Sequence, residues 1–105
     1  MAQTPEGKVK AKVSKLLLRY GSKVYYHMPV PGGYGSTTLD YIGCAGGKFF
    51  VVETKAPGKK PTDRQNMIIE AVRAAGGTVF VIDGGPGQLE ALDAWVMAAC
   101  TGGQL

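Results

Sequence analysis

With 105 residues, 45% hydrophobic and 19% charged, the chain has the composition of a globular protein, not a disordered one, and is long enough for one hydrophobic core and too short for two. Its formal charge of +4 is unevenly spread: six basic residues and no acid lie between Lys8 and Lys23, and no Lys or Arg follows Arg73, which points toward a polyanionic partner such as nucleic acid. Cys44 and Cys100 form neither a disulfide framework nor a metal-binding spacing, and no signal peptide or apolar run of spanning length is present, so a soluble, intracellular, single-domain protein over 1–105 is expected.

Thr4-Pro5-Glu6 opens a first helix, with Thr as cap, Pro in the first turn and Glu at the positive end of the dipole. Val9, Val13, Leu16, Leu17 and Tyr20 follow helical spacing and form its apolar stripe, and Gly21 supplies a stop. Lys8, Lys12, Lys15 and Arg19 share the opposite face. Taken alone, that face reads first as a solvated surface and second as a contact for phosphates.

Lys23 to Met28 is rich in β-branched and aromatic residues and predicts a strand. It carries His27, the single histidine, with no Ser/Asp partner pattern around it, so a structural role is the plainer reading. A flexible loop is expected over 29–36. A second strand over Thr37 to Cys44 places Thr38, Asp40 and Ile42 on one face and Leu39, Tyr41 and Gly43 on the other. Ala45-Gly46-Gly47 is a tight connection, which makes Lys48 to Lys55 its antiparallel hairpin partner.

The stretch from Lys48 to Gln65 is the most informative in the chain. Period-two alternation puts Phe49, Val51, Glu53 and Lys55 on one face, which the apolar run would bury together. A buried charge costs several kcal/mol unless it is paired or coordinated. The hairpin also brings Asp40 towards Glu53, and neighbouring carboxylates repel unless a cation lies between them; hard divalent ions favour such oxygen ligands.

A basic turn, Pro57 to Pro61, leads into a helix that starts with the capping box Thr62-x-x-Gln65, has apolar positions Met67, Ile68, Ala71, Val72 and Ala75, and ends at Gly76-Gly77. The box gives Gln65 a complete structural explanation. Thr78 to Ile82 predicts a short strand buried on both faces, parallel to the Lys48–Lys55 strand through a right-handed crossover. Asp83 to Gly87 is a turn, Gln88 to Ala99 a last amphipathic helix, and Thr101 to Leu105 a frayed tail. The glycines at 84–87 lack the Lys-Ser/Thr of a P-loop and the order of a dinucleotide site.

Asp40, Glu53-Thr54-Lys55 at the end of an apolar strand, Ala56-Pro57-Gly58-Lys59-Lys60-Pro61 and Gln65 together resemble the PD-(D/E)xK nuclease superfamily, and more narrowly its stand-alone virus-type VRR-NUC domains. The likeness covers roughly residues 6–84, with Leu39 in place of the Pro of the PD element. It implies an α/β fold with a restriction-endonuclease-like core: a mixed sheet of about four strands flanked by helices, in the order α-β-β-β-α-β-α, with the core over about 4–84 and a C-terminal helix over about 88–99. Asp40 and Glu53 would hold Mg²⁺ or Mn²⁺ with the Thr54 carbonyl, and Glu6 could join the metal. Lys55 would activate water and stabilise phosphate charge, with Gln65 nearby. Lys8, Lys12, Lys15, Arg19, Lys59, Lys60 and Arg64 would grip the DNA backbone.

The implied function is a metal-dependent endodeoxyribonuclease, structure-selective in the manner of a Holliday-junction resolvase. It would act as a homodimer on branched or four-way DNA, in a bacterium or a phage-infected cell and away from membranes. A non-catalytic nucleic-acid-binding module with the same fold is the alternative, and a small nucleotide-binding α/β domain a third.

Overall fold

The computed structural model describes residues 3–30 and 38–102. Most of the loop expected over 29–36, residue Thr37 and the last three residues of the tail lie outside them. The order of elements is α1 (Pro5–Leu18), a 3-10 turn (Gly21–Lys23), β1 (Val24–His27), β2 (Tyr41–Ala45), β3 (Lys48–Thr54), α2 (Asp63–Ala74), β4 (Thr78–Ile82) and α3 (Gln88–Cys100). This is the expected α/β arrangement, α-β-β-β-α-β-α around a four-stranded mixed sheet. Among the described residues no helix is long and apolar enough to cross a membrane.

The sheet runs β1-β2-β3-β4, antiparallel from β1 to β3 and parallel between β3 and β4. Gly46 and Gly47 (φ 57° and 81°) close the β2–β3 hairpin between the paired residues Ala45 and Lys48, since a two-residue type I′ loop needs positive φ at both positions. The turn also docks on α3, and a Cβ on Gly46 would stand 1.7 Å from the Ala99 carbonyl oxygen.

Helices α1 and α3 cover one face of the sheet. The Thr4 hydroxyl caps α1 by accepting from Gly7 N–H, and Pro5 begins its first turn. Val9, Val13, Leu16 and Leu17 then pack against Tyr41, Phe50, Val52, Ile82, Leu92 and Val96. Trp95 from α3 lies 5.6 Å, between ring centroids, from both Phe50 and Phe80.

Helix α2 covers the other face with a smaller cluster of Leu39, Val51, Ile69 and Val79. Its capping box is complete: Thr62 Oγ1 accepts from Gln65 N–H, and Gln65 Oε1 accepts from Thr62 N–H. The stripe that packs is Ile68, Ile69 and Val72, with Ile69 the buried residue, whereas Met67 is 72% exposed and Ala71 and Ala75 are exposed. The expected stripe was rotated by about one residue, because two adjacent isoleucines leave the sequence pattern with two possible centres.

Three further expectations are corrected by the way the layers meet. Phe49 was expected in the core but is 46% exposed, because it lies at the C-terminal end of α2, where Val72 and Gly77 border it and the helical cover stops. Among the described residues the second strand begins at Tyr41 and residues 38–40 precede it, so the expected alternation breaks there: Leu39 joins the α2 cluster and Tyr41 the α1–α3 core. In β4 only Val79 and Ile82 are buried, as befits a strand at the sheet edge.

Candidate functional site

Strand β3 is the interior strand whose C-terminal end carries Glu53, Thr54 and Lys55, and Asp40 immediately precedes its neighbour β2. Tyr41 pairs with Val52, so the next step of the same antiparallel register sets Asp40 beside Glu53. Their bonds are interlocked. Asp40 N–H donates to Glu53 Oε1 at 3.2 Å, while Thr54 N–H and Thr54 Oγ1 donate to Asp40 Oδ2 at 2.8 and 2.6 Å. The sequence-based expectation that the hairpin unites Asp40, Glu53, Thr54 and Lys55 is met in their placement.

Glu53 is 2% exposed. Burial, reinforced by the Asp40 charge, pushes its carboxyl above the usual carboxylate range, and Lys55 opposes that shift. Lys55 Nζ stands 3.3 Å from Glu53 Oε2, and the Lys55 backbone N–H donates to the Ile82 carbonyl at 2.9 Å, which ties the site to β4. Beyond it the basic turn is closed by a Lys59 N–H to Ala56 carbonyl bond of 2.9 Å, with Gly58 at φ 79°, and it then enters the α2 capping box. Lys59 and Lys60 are exposed on this turn.

The other expected site residues lie on α1, on α2 and on the basic turn between β3 and α2. Glu6 lies in the first turn of α1. No group of three or more His, Cys, Asp and Glu side chains gathers among the described residues, so Glu6 does not complete a triad with Asp40 and Glu53. Gln65 spends its carbonyl oxygen on the Thr62 N–H in the capping box. Lys8, Lys12, Lys15 and Arg19 are exposed along α1, and the last three line a shallow cavity of about 220 Å³ with Leu16 and Leu89. Arg64 is exposed in the first turn of α2. His27 is exposed on β1 among Tyr25, Ile42, Gly43, Cys44 and Phe49.

The glycine turn after β4 is occupied by its own side chains. Gln88 Oε1 accepts the N–H groups of Asp83, Gly84 and Gly85 at 2.8, 3.1 and 3.2 Å, and Asp83 Oδ1 accepts from Gly85 N–H at 3.0 Å. The amides a phosphate-binding loop would offer are engaged. The Gly85 N–H first, and then the Gln88 side-chain amide, hold Asp83 below the usual carboxylate range.

One site residue was missed in the sequence: Lys10. Its ammonium lies 3.6 Å from Asp40 Oδ1, with the lysine side chain 35% exposed and the aspartate 21%. In the sequence it is one lysine in a basic run, off the stripe of Lys8, Lys12, Lys15 and Arg19. Its pairing depends on how α1 docks, for which the local pattern carries no signal.

Comparison of the chain with family models, curated proteins and solved structures finds no match.

The donor set suits a hard divalent cation. Asp40 and Glu53 present carboxylate oxygens side by side in a partly dry setting, where their mutual repulsion is relieved by positive charge. Lys10 and Lys55 each place an ammonium beside one of the two carboxylates.

Proposed function

We propose that this protein is a metal-dependent endodeoxyribonuclease of the PD-(D/E)xK type. The observation that carries the reading is the buried Glu53 locked to Asp40 across the hairpin through one oxygen, with Lys55 Nζ 3.3 Å from the other. Mg²⁺ or Mn²⁺ would be held by Asp40 and Glu53, with the Thr54 carbonyl as a further donor. A divalent ion there would supply charge neutralisation for a phosphodiester and an acidified water for its hydrolysis.

The protein's own groups supply the rest. Thr54 fixes the orientation of Asp40 through its amide and hydroxyl, so that carboxylate is positioned before any ligand arrives. Glu53 holds the Lys55 ammonium in place. Lys55 then offers a fixed positive charge to the phosphate as charge develops on its oxygens, and such preorganised charges are commonly the largest catalytic contribution. Lys59 and Lys60, with Lys8, Lys12, Lys15 and Arg19, would grip the DNA backbone through contacts that carry no base information. Such backbone contacts favour recognition by shape, as on branched or four-way DNA, and a symmetric junction suits a homodimer.

A second reading draws on one observation: each carboxylate already has a lysine, Lys10 on Asp40 and Lys55 on Glu53. A charge-balanced cluster can serve as a structural element in a non-catalytic nucleic-acid-binding module. Labelled four-way junction, flap and duplex substrates with Mg²⁺ or Mn²⁺ separate the two. Cleavage that falls by about 10²-fold or more in Lys55→Met, and likewise in Glu53→Gln, supports the nuclease. Binding without cutting by the wild type on all three substrates supports the module.

A further inference from the structure

Lys10 differs from the other basic residues of α1 in what holds it. Lys8, Lys12 and Lys15 are exposed, and Arg19, the C-cap just beyond the helix, is exposed with its guanidinium 3.9 Å from Asp93, whereas Lys10 is half-buried with its ammonium on Asp40. Its backbone is also fastened. The Tyr41 hydroxyl donates to the Lys10 carbonyl at 2.9 Å and lies 2.6 Å from Ser14 Oγ, one helical turn on. Tyr41 is fully buried and follows Asp40 directly in the chain. The turn of α1 that bears Lys10 is thus bolted to the residue beside Asp40, and the flexible four-carbon stem is anchored within reach of the site.

The ion pair itself is loose. At 3.6 Å and partly exposed, it belongs to the class worth at most about 1 kcal/mol, whereas Asp40 Oδ2 is engaged by two shorter bonds from Thr54. The oxygen facing Lys10 is therefore the exchangeable one.

We propose that Lys10 is the displaceable counterion of Asp40: its ammonium neutralises the carboxylate in the metal-free protein, yields it to a divalent cation, and then contacts a phosphate oxygen of the bound DNA. This rests on the metal-dependent reading above. It makes the phosphate contact of Lys10 conditional on metal, in contrast to Lys59 and Lys60, which are exposed at all times.

The test uses the full chain and two binding measurements, with circular dichroism confirming that each variant is folded. Mn²⁺ titrated into the DNA-free protein by calorimetry should bind Lys10→Gln about fivefold more tightly than wild type, the equivalent of about 1 kcal/mol, because no ammonium has to be displaced. Lys10→Arg, which keeps the charge, should stay close to wild type.

Duplex DNA binding is then measured with and without Mn²⁺ in a Lys55→Met background, where cutting is suppressed. Lys10→Gln should weaken binding only when Mn²⁺ is present, with the slope of log K against log salt reduced by about 0.9. Equal Mn²⁺ affinities, or the same loss of DNA binding with and without Mn²⁺, overturn the role of Lys10 and leave the nuclease reading standing. Failure of the wild type to bind Mn²⁺ even with DNA added removes the metal reading and this inference with it.

Discussion

Glu53 accepts the backbone N–H of Asp40 through Oε1, although the two carboxylates repel each other. The fold holds them together through main-chain and side-chain bonds that do not depend on a cation. Repulsion held in a buried pair in this way costs folding stability.

Replacement of Glu53 by Gln is expected to stabilise the metal-free protein. The amide keeps an oxygen for Asp40 N–H and gives up the Lys55 pair, but burial and the Asp40 charge raise the Glu53 carboxyl in spite of Lys55, so removing the charge relieves more than the lost pair costs. Denaturation in chelator should show Glu53→Gln at or above the wild-type midpoint. On addition of Mn²⁺ the wild type should gain stability and the variant should not.

Thr54→Val should have the opposite sign. The substitution keeps the volume at a fully buried position but removes the hydroxyl that donates to Asp40 Oδ2 at 2.6 Å. Loss of a hydrogen bond to a charged acceptor costs about 1.5–3 kcal/mol, to be read from urea denaturation. Because Asp40 loses part of its orientation, cleavage should also fall, whereas Thr54→Ser should retain most of both.

Alkaline pH should weaken the tie between Tyr20, just beyond α1, and α3. The Tyr20 hydroxyl donates to the Asp93 carbonyl at 3.1 Å and to its carboxylate. Burial first, then the Asp93 bond and charge, raise Tyr20 from 10.0 to about 12. The folded state therefore keeps its proton where the unfolded chain loses it. The stabilisation is complete below pH about 10 and is lost as pH rises through about 12. Denaturation of wild type and Tyr20→Phe at pH 7, 9 and 11 should show a difference that is constant at the first two values and smaller at the third.

At Gly46 the effect should be steric. An alanine there must adopt φ 57° and would put its Cβ 1.7 Å from the Ala99 carbonyl oxygen, so the hairpin or α3 has to move. The left-handed conformation alone costs about 1–2 kcal/mol, and with the clash the total should exceed it. Gly47→Ala also adopts positive φ but meets nothing within 4 Å, and should cost less. Thermal midpoints of the two variants test the ordering.

The features legible in the sequence are those set by local chemistry. Thr4, Pro5 and the 9/13/16/17 stripe define α1, the paired glycines define the hairpin, and the hairpin fixes Asp40 against Glu53. The capping box accounts for Gln65, and the structure uses it in that way. What escaped depends on where layers end or meet. Phe49 has the apolar character of a core residue, yet its burial is decided by the extent of α2. Lys10 looks like its neighbours and is singled out only by the docking of α1 on Tyr41.

The basic turn between Lys55 and Thr62 is tied at both ends, by Lys55 N–H to Ile82 and by the reciprocal Thr62–Gln65 bonds, and is pinched in the middle by Lys59 N–H to Ala56. Fixing a residue's backbone costs about 1–2 kcal/mol of conformational entropy, and here that cost is met when the protein folds. A polyanion that met Lys59 and Lys60 would find a loop already tied by these bonds, so any affinity these lysines added would depend on ionic strength more than on an ordering step.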